Sequence, residues 1–398
     1  MSTIQNEPES GSALRGWLAV SAVTLGIFAL MTSELLPVGL LTPVSTDLKI
    51  TEGQAGLMVT APGLVAALAA PVLTIAAGRL DRRVMLTGLI GLMALANLVS
   101  AMATTFTVVL VARLAVGISV GGFWAIAGGL ALRLVPQQHV GRATAVIFGG
   151  VSTASVLGVP AGTFAGQIGG WRLGFAIVGL LGLGALACLV LFVPALPATR
   201  TISFAEMPRL WRTPSVRAGI VLTLLLITGQ FAAYTYLRPI LQEIAGIPPN
   251  SISLMLLAYG VAGVVGNFVA GSQVTRHPRG TLLGIGVTLT AVTSLLAAYG
   301  AGAATAVLAV IVWGLAYGGV SVSLQTWMLK AAPQATEAAS SLFVAAFNLS
   351  IALGALLGGL VVDGFGTFAA LWLAAAFLLS SILVVTAHTK YVVTAHTK

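Results

Sequence analysis

Residues 113–138, RLAVGISVGGFWAIAGGLALRLVPQQ, form an apolar, glycine-rich run with an arginine near either end. About 20 apolar residues cross the ~30 Å hydrocarbon core of a bilayer as a helix, so this stretch predicts a membrane span. A related stretch, VWGLAYGGVSVSLQTWMLKAAPQA, occupies residues 312–335. An offset of 197 residues aligns Gly117 with Gly314, Gly121 with Gly318, Gly122 with Gly319, Arg133 with Lys330 and Pro136 with Pro333.

The same offset relates other parts of the chain. It aligns Leu57 and Met58 with Leu254 and Met255, Gly63 with Gly260, Arg79 with Arg276 and Arg82 with Arg279. Two parallel six-helix repeats are typical of secondary transporters whose solute binds between the halves near the bilayer midplane. The alternative is that glycine-rich helices align by chance.

The composition predicts an all-α membrane protein. Of 398 residues, 58% are hydrophobic and 7% charged, and the mean hydropathy is +1.03, whereas soluble domains have about 25% charged residues. The apolar runs number twelve: 17–41, 53–78, 84–103, 106–132, 141–168, 172–193, 218–242, 252–273, 281–300, 304–329, 337–362 and 366–387. The first run is too long for a cleaved signal peptide and has no cleavage site before it, so we expect it to remain as a span.

Charge placement predicts the topology. With the N-terminus in the cytoplasm, fifteen basic residues fall in inner segments, and only Lys49, Arg172 and Arg238 fall in outer ones. This asymmetry follows the positive-inside rule and places both termini in the cytoplasm. We expect a tail at 1–16, a six-helix bundle at 17–193, a cytoplasmic linker at 194–217, a second six-helix bundle at 218–387 and a tail at 388–398. The tail contains part of an exact duplication of VVTAHTK, which we interpret as a sequence irregularity.

Several classes of function are disfavoured. The single cysteine, Cys188, excludes an intramolecular disulfide framework and a cysteine-based metal cluster, and four scattered histidines make a metal site unexpected. The sequence has no phosphate-binding glycine-lysine-serine loop, which argues against an ATPase or other enzyme. The basic residues that give the net charge of +9 lie mostly in loops between the spans, so this charge does not indicate nucleic-acid binding. We therefore expect no cofactor, a monomer in the lipid bilayer, and a small solute and protons as partners.

Several short motifs carry a resemblance to a known family. They are ELLPVGLLTP at 34–43, DRRVML at 81–86, RLAVGISVGGFWA at 113–125, LRLVP at 132–136, GWR at 170–172 and TYLRPI at 235–240. The chain resembles the major facilitator superfamily, in particular its twelve-helix bacterial drug:proton antiporters and the branch of purine ribonucleoside efflux pumps and sugar efflux transporters. The resemblance implies a multi-pass protein of the bacterial inner membrane with two pseudo-symmetric six-helix bundles.

The loop between spans two and three matches the family's gating signature at Gly78, Asp81, Arg82 and Arg83, although its spacing is one residue shorter. An acid flanked by arginines can form charge-assisted contacts with neighbouring helix ends and hold a gate closed. The alternative is a basic loop that only sets topology.

Span four matches the signature of an arginine and a glycine four residues later, at Arg113 and Gly117. A charged side chain inside a span costs about 2.5–3.5 kcal/mol unless it meets protein or water, so Arg113 needs a partner. The resemblance implies a role in proton transfer, and the alternative is an arginine that snorkels to the outer interface.

Span five carries the spaced glycines and proline of the antiporter signature, at Gly158, Pro160, Gly162, Gly166 and Gly170. Glycines at this spacing line one helix face and permit close approach of another helix. Such a face suits a helix that pivots against a neighbour in the other half, and static packing is the alternative.

Glu34 is the candidate proton-coupling carboxylate because the other acids lie in loops or near span ends. Pro37 cannot donate a hydrogen bond to the carbonyl of Ser33, so the helix should expose a backbone acceptor beside the carboxylate. An ionised acid inside the membrane must bind a proton or pair with a cation. Arg113 could lower the affinity of Glu34 for a proton, and the alternative is a glutamate that never titrates.

Polar and aromatic residues in the middle of spans are the candidate solute-binding residues, because aromatic faces and amides suit a flat heterocycle carrying a sugar, or a drug. They are Thr32, Phe123, Trp124, Gln230, Tyr234, Tyr236, Asn267, Tyr317, Gln325 and Asn348. We predict proton-coupled antiport of purine nucleosides, sugars or amphipathic drugs, as in multidrug resistance. The alternatives are a solute:proton symporter for uptake and a transport-inactive receptor or assembly subunit.

Overall fold

The computed structural model describes residues 10–77, 80–127, 130–197, 210–274, 276–299, 302–333 and 335–396. In this part of the chain, twelve helical runs are long and apolar enough to cross a membrane, and no strand occurs. The first six are α1 (Ser10–Leu48), α2 (Glu52–Ala77), α3 (Arg82–Ala101), α4 (Phe106–Ala127), α5 (Val140–Thr153, Ala154–Gly158 and Val159–Gly169) and α6 (Trp171–Phe192). The others are α7 (Pro214–Tyr234), α8 (Ile252–Val274), α9 (Pro278–Tyr299), α10 (Ala303–Gly318 and Val320–Ala331), α11 (Thr336–Phe365) and α12 (Thr367–His396). The predicted all-α membrane fold is confirmed.

Two boundaries differ from the sequence-based expectation. The expected seventh span, 218–242, is broken, because α7 ends at Tyr234 and a separate short helix covers Leu237–Ala245. Pro239 lies in the first turn of that short helix, where its missing N–H costs no hydrogen bond. The last helix continues to His396, through most of the duplicated segment that we assigned to a tail.

The two halves meet along paired helices. Helix α2 packs against α4 of its own half and α11 of the other, and α5 packs against α8. Missing Cβ atoms allow the backbones to approach at these crossings: a Cβ on Gly63 would press against the Asn348 carbonyl, and one on Gly260 would meet the carbonyl of Ser155. Small residues at membrane helix crossings permit such dispersion contacts.

One face of the bundle is closed by bonds between the halves. We call it the outer face, following the charge-based topology; it contains the end of α1 and the start of α2. Here Gln167 donates its amide N–H to the carbonyl of Pro249 at 2.7 Å, and Arg238 donates to the carbonyl of Gly39. Each bond joins a residue of α1–α6 to a residue of the second half, so the structure is closed at this face.

Candidate solute and proton site

Arg113 is the central buried charge of the first half. It is 0% exposed, so it does not snorkel to an interface. Its guanidinium donates to three backbone carbonyls, through Nε to Met58 at 3.0 Å, through Nη1 to Ser33 at 2.9 Å and through Nη2 to Glu34 at 3.1 Å. These bonds tie α4 to α1 and α2 and provide the partners that a buried guanidinium requires.

Prolines explain why these carbonyls are available. In a helix, each carbonyl normally accepts from the N–H four residues later, and proline has no N–H. Pro37 therefore leaves the carbonyl of Ser33 without a helical donor, and Pro62 does the same for Met58. Arg113 bonds both.

Arg238 provides a second case of the same chemistry. Its acceptor, the carbonyl of Gly39, lies four residues before Pro43. Among the described residues, the buried Arg113 and Arg238 thus both bond carbonyls that a proline has freed from a helical N–H.

Glu34 is the carboxylate of the site. Its side chain is only half-buried, although it lies in the middle of α1. Arg113 bonds the backbone carbonyl of Glu34, and within the described chain the carboxylate itself accepts no hydrogen bond. It is nevertheless close enough to interact electrostatically with Arg113 and, across the interface, with Tyr317 of α10. The carboxylate is therefore available to a proton or a solute.

Gln230 organises the facing side of the second half. It is fully buried; its Oε1 accepts from Trp313 Nε1 at 2.7 Å, and its Nε2 donates to the Tyr259 hydroxyl at 2.8 Å. An indole N–H can only donate, which fixes the orientation of the amide. The Tyr259 oxygen consequently accepts, and its own proton remains free to donate elsewhere. Both amide groups of Gln230 are thus engaged by side chains of the second half.

Three tyrosines form an aromatic group next to Gln230. The Tyr234 and Tyr259 rings stack with centroids 4.8 Å apart at 28°, and Tyr259 and Tyr317 lie 6.4 Å apart at 27°. Phe231 meets Tyr234 and Tyr317 edge-on. The hydroxyls of Tyr234 and Tyr317 have no hydrogen-bond partner in the described chain, yet they are not among its occluded unpaired polar atoms. Both rings belong to the same group as Tyr259, and Tyr317 also interacts electrostatically with Glu34.

The other predicted solute-binding residues do not all join this group. Thr32 bonds the carbonyl of Phe28 in its own helix, Asn348 bonds that of Val344, and Tyr236 bonds that of Ala355. Tyr236 lies fully buried against Gly56 and Gly359, so it belongs to the closure of the outer face.

The remaining four residues are dispersed. Phe123 is buried in the first half, edge-on to the half-buried Trp124, whereas Asn267 is half-buried and Gln325 exposed. A separate groove of about 330 Å³ between α1 and α5 is lined by Ser21, Thr24, Leu25, Phe28, Val146, Gly150 and Thr153. None of the predicted residues lines it.

The glycine face of α5 packs against α1. Cβ atoms on Gly158, Gly162 and Gly166 would meet Thr32, Leu36 and Leu40 respectively, and these residues belong to α1 of the same half. In this conformation the nearest neighbours of these three glycines therefore lie in α1 of the same half. The π-helical turn Ala154–Gly158 and the following segment Val159–Gly169 both pack against α8 of the other half, and Pro160 removes a helical donor just after the turn. Gly170 ends the helix at φ 80°, a conformation that glycine favours.

The candidate gating loop contacts the end of α6 and the residues after it. Asp81 accepts N–H bonds from Arg83 at 2.7 Å, as the N-cap of α3, and from Leu196 at 2.9 Å. Burial raises the pKa of Asp81, but these N–H donors and the charge of Arg133 lower it more, so the pKa stays below its usual range.

Backbone and arginine contacts extend this attachment. The backbone N–H of Arg82 donates to Leu196, the Arg83 guanidinium donates to Val190, and Arg133 donates to Pro197. The fourth predicted residue, Gly78, lies outside the described residues. The loop therefore anchors the segment that leads from the first half toward the second.

Sequence reasoning did not select Tyr259 and Trp313 for this site. A tryptophan in mid-span carries a signal, because a buried indole N–H usually needs an acceptor. That signal does not say which acceptor is used, since Gln230 is 83 positions away in sequence.

The chain is similar to known transport proteins over most of its length. The profile of the Major Facilitator Superfamily matches residues 23–248 and 219–395. A purine ribonucleoside efflux pump, NepI of Salmonella paratyphi A, is 36% identical over 377 residues, which cover 95% of each chain. NepI of Salmonella typhimurium is 35% identical over the same share.

Solved structures share the fold at low identity. A mutant of the nucleoside transporter NupG has a TM-score of 0.76 at 15% identity, over 93% of this chain and 98% of that one. A bacterial homologue of the human lysosomal transporter Spinster, in an inward-facing and occupied conformation, has a TM-score of 0.75 at 15% identity. The match covers 93% of this chain and 96% of that one. The family match, the efflux-pump relatives and the twelve apolar helices lead to one conclusion. The chain belongs to the Major Facilitator Superfamily and is a multi-pass bacterial membrane transporter, not an enzyme.

Proposed function

We propose that this transporter exports a small solute with a flat heterocycle, of the purine ribonucleoside class, in exchange for protons that bind Glu34. The observation that carries the proposal is the free Glu34 carboxylate opposite the tyrosine group across the interface of the halves. The efflux of purine ribonucleosides by relatives 35–36% identical supports the solute class.

The tyrosine group suits such a solute. A purine ring can stack on an aromatic face, and an aromatic platform with a few placed polar groups is typical of small-molecule sites. The free hydroxyls of Tyr234 and Tyr317 can bond a ribose or the edge of the base. The Tyr259 proton, directed by Gln230 and Trp313, provides a donor of fixed orientation.

Glu34 and Arg113 suit proton exchange. When Glu34 is ionised, the neighbouring Arg113 charge stabilises it, and the carboxylate can accept hydrogen bonds from the solute. When Glu34 is protonated from outside, that interaction weakens and the solute leaves. The three carbonyl acceptors of Arg113 are backbone groups and do not include the Glu34 carboxylate, so only one group needs to titrate.

The test uses purified protein in proteoliposomes loaded with radiolabelled inosine, with Glu34→Gln as the variant and Glu243→Gln as the matched control. Glu243 accepts from Thr367 at the outer face of a single half. An inward proton gradient should accelerate inosine efflux from liposomes with wild-type protein or the control. Glu34→Gln should lose this acceleration but keep inosine exchange at equal pH, because glutamine cannot release a proton.

Other outcomes would select the alternatives. Efflux accelerated by an outward proton gradient would indicate symport. Efflux of a simple sugar or chloramphenicol, but not of inosine or guanosine, would reassign the solute. Acceleration that persists in Glu34→Gln would refute Glu34 as the coupling group, and solute binding without any transport would favour a receptor.

A further inference from the structure

We propose that Asp363 is a positioning residue for transport, which holds the outer face closed by capping helix α2 of the opposite half. The proposal requires that the transporter alternates between two states, and it does not depend on which solute or ion is carried.

The contact has the geometry of a helix cap. Thr51 and Gln54 form a reciprocal capping box at the start of α2, with both bonds at 3.0 Å. Asp363, near the end of α11, adds a carboxylate to this box from the other half. Its Oδ1 accepts the N–H of Gly53 at 2.9 Å and its Oδ2 accepts the Thr51 hydroxyl at 2.5 Å. One carboxylate therefore bonds two groups of the first turn of α2.

The position of Asp363 makes this contact depend on the state of the transporter. It lies two residues before the C-terminus of α11, where the helix dipole disfavours a negative charge, and the last turn contains no basic residue. The N-terminus of α2 favours a negative charge. If the outer face opens, Asp363 loses the favourable helix end and remains at the unfavourable one.

Gly53 provides independent support for close contact at this point. A Cβ on Gly53 would collide with the Asp363 carboxylate and with the carbonyl of Gly359 in α11. The α2 N-terminus thus fits against α11 only without a side chain at position 53.

The neighbouring charged groups have partners of their own. Glu52 accepts from Thr42 at 2.8 Å, Glu243 accepts from Thr367 at 2.8 Å, and Arg238 donates to Gly39. The carboxylate bonds of Glu52 and Glu243 stay within one half. Of the three carboxylates, only Asp363 accepts bonds from the opposite half in the described structure.

The experiment measures the distance between the halves by pulsed electron spin resonance. Spin labels are placed at Met102 and Tyr299, which are 83% and 84% exposed and lie on different halves at the outer face, after Cys188→Ala. Asp363→Asn should raise the ratio of outward-open to closed protein roughly tenfold, the scale of a lost charge-assisted contact.

Gly53→Ala should produce the same shift in the ratio of outward-open to closed protein without removing any charge. This variant therefore tests the contact between Asp363 and the start of α2 even if the Asp363→Asn protein is not produced in folded form. The controls are Gln54→Ala, which disrupts the box within the first half, and Glu243→Gln, which removes an outer carboxylate bonded within the second. A distance distribution unchanged in both Asp363→Asn and Gly53→Ala would overturn the proposal. An equal shift in the two controls would also overturn it, because the effect would then reflect general loosening of the outer face.

Discussion

Replacing Arg113 with methionine should reveal whether the arginine and the prolines act together. The substitution removes the donors to Ser33 and Met58, whose carbonyls have no helical partner because of Pro37 and Pro62. An unsatisfied buried carbonyl costs about 1–3 kcal/mol. Two such groups make the expected loss of unfolding free energy about 2–6 kcal/mol.

The second substitution, Pro37→Ala, restores an N–H that can bond the Ser33 carbonyl. With Arg113 present, that N–H competes for an occupied acceptor and should add little stability. With Arg113→Met, it should restore about 1–3 kcal/mol, because it fills an empty acceptor. The two substitutions should therefore be coupled by at least about 1 kcal/mol.

Unfolding in mixed micelles of increasing SDS content measures all four members of this cycle. Pro43→Ala is the matched control, since the carbonyl that Pro43 frees, at Gly39, is bonded by Arg238 instead. Its effect should be the same with and without Arg113. If Pro37→Ala changes stability equally in both backgrounds, Arg113 does not compensate for the proline and the interpretation is wrong.

Two further predictions concern the tyrosine group and the gating loop. Trp313→Phe removes the donor that orients Gln230 and should weaken nucleoside binding about tenfold, as measured by calorimetry. The control is Trp372→Phe, whose side chain is 51% exposed, and it should leave nucleoside binding unchanged. Since donors and charge hold the pKa of Asp81 below its usual range despite burial, its bond to Leu196 should persist at pH 5 and be lost only as the pH falls below about 4. The rate of hydrogen exchange at the Leu196 N–H should rise when this bond is lost. Asp81→Asn should abolish that pH-dependent rise. A rise that remains in the variant would show that Asp81 does not cause it.

The structure separates two tasks that a transporter of this kind needs. Arg113 bonds proline-freed carbonyls and holds α1, α2 and α4 of the first half together, while the Glu34 carboxylate accepts no hydrogen bond within the described residues. A titrating group with no structural bond can change its charge without disrupting the packing around it. For the proton exchange that we propose, this division favours Glu34 over Arg113 as the titrating group.

The sequence by itself determined the membrane class, the number of spans and the repeat, because hydrocarbon thickness and hydropathy act locally along the chain. It also selected Glu34 and Arg113, since a charge inside an apolar run is unusual wherever the helix lies. The acceptor at Ser33 could be expected from Pro37, four residues later in the same helix.

Contacts between distant segments were decided by the tertiary structure. Arg113 could have reached any freed carbonyl, and only helix packing brought it to both Ser33 and Met58. The glycine face of α5 gave no indication of which helix it would meet, and it meets α1. Gln230 and Trp313 are distant in sequence, as are Asp363 and Gly53, and hydrogen bonds depend on distances and angles that hydropathy does not encode.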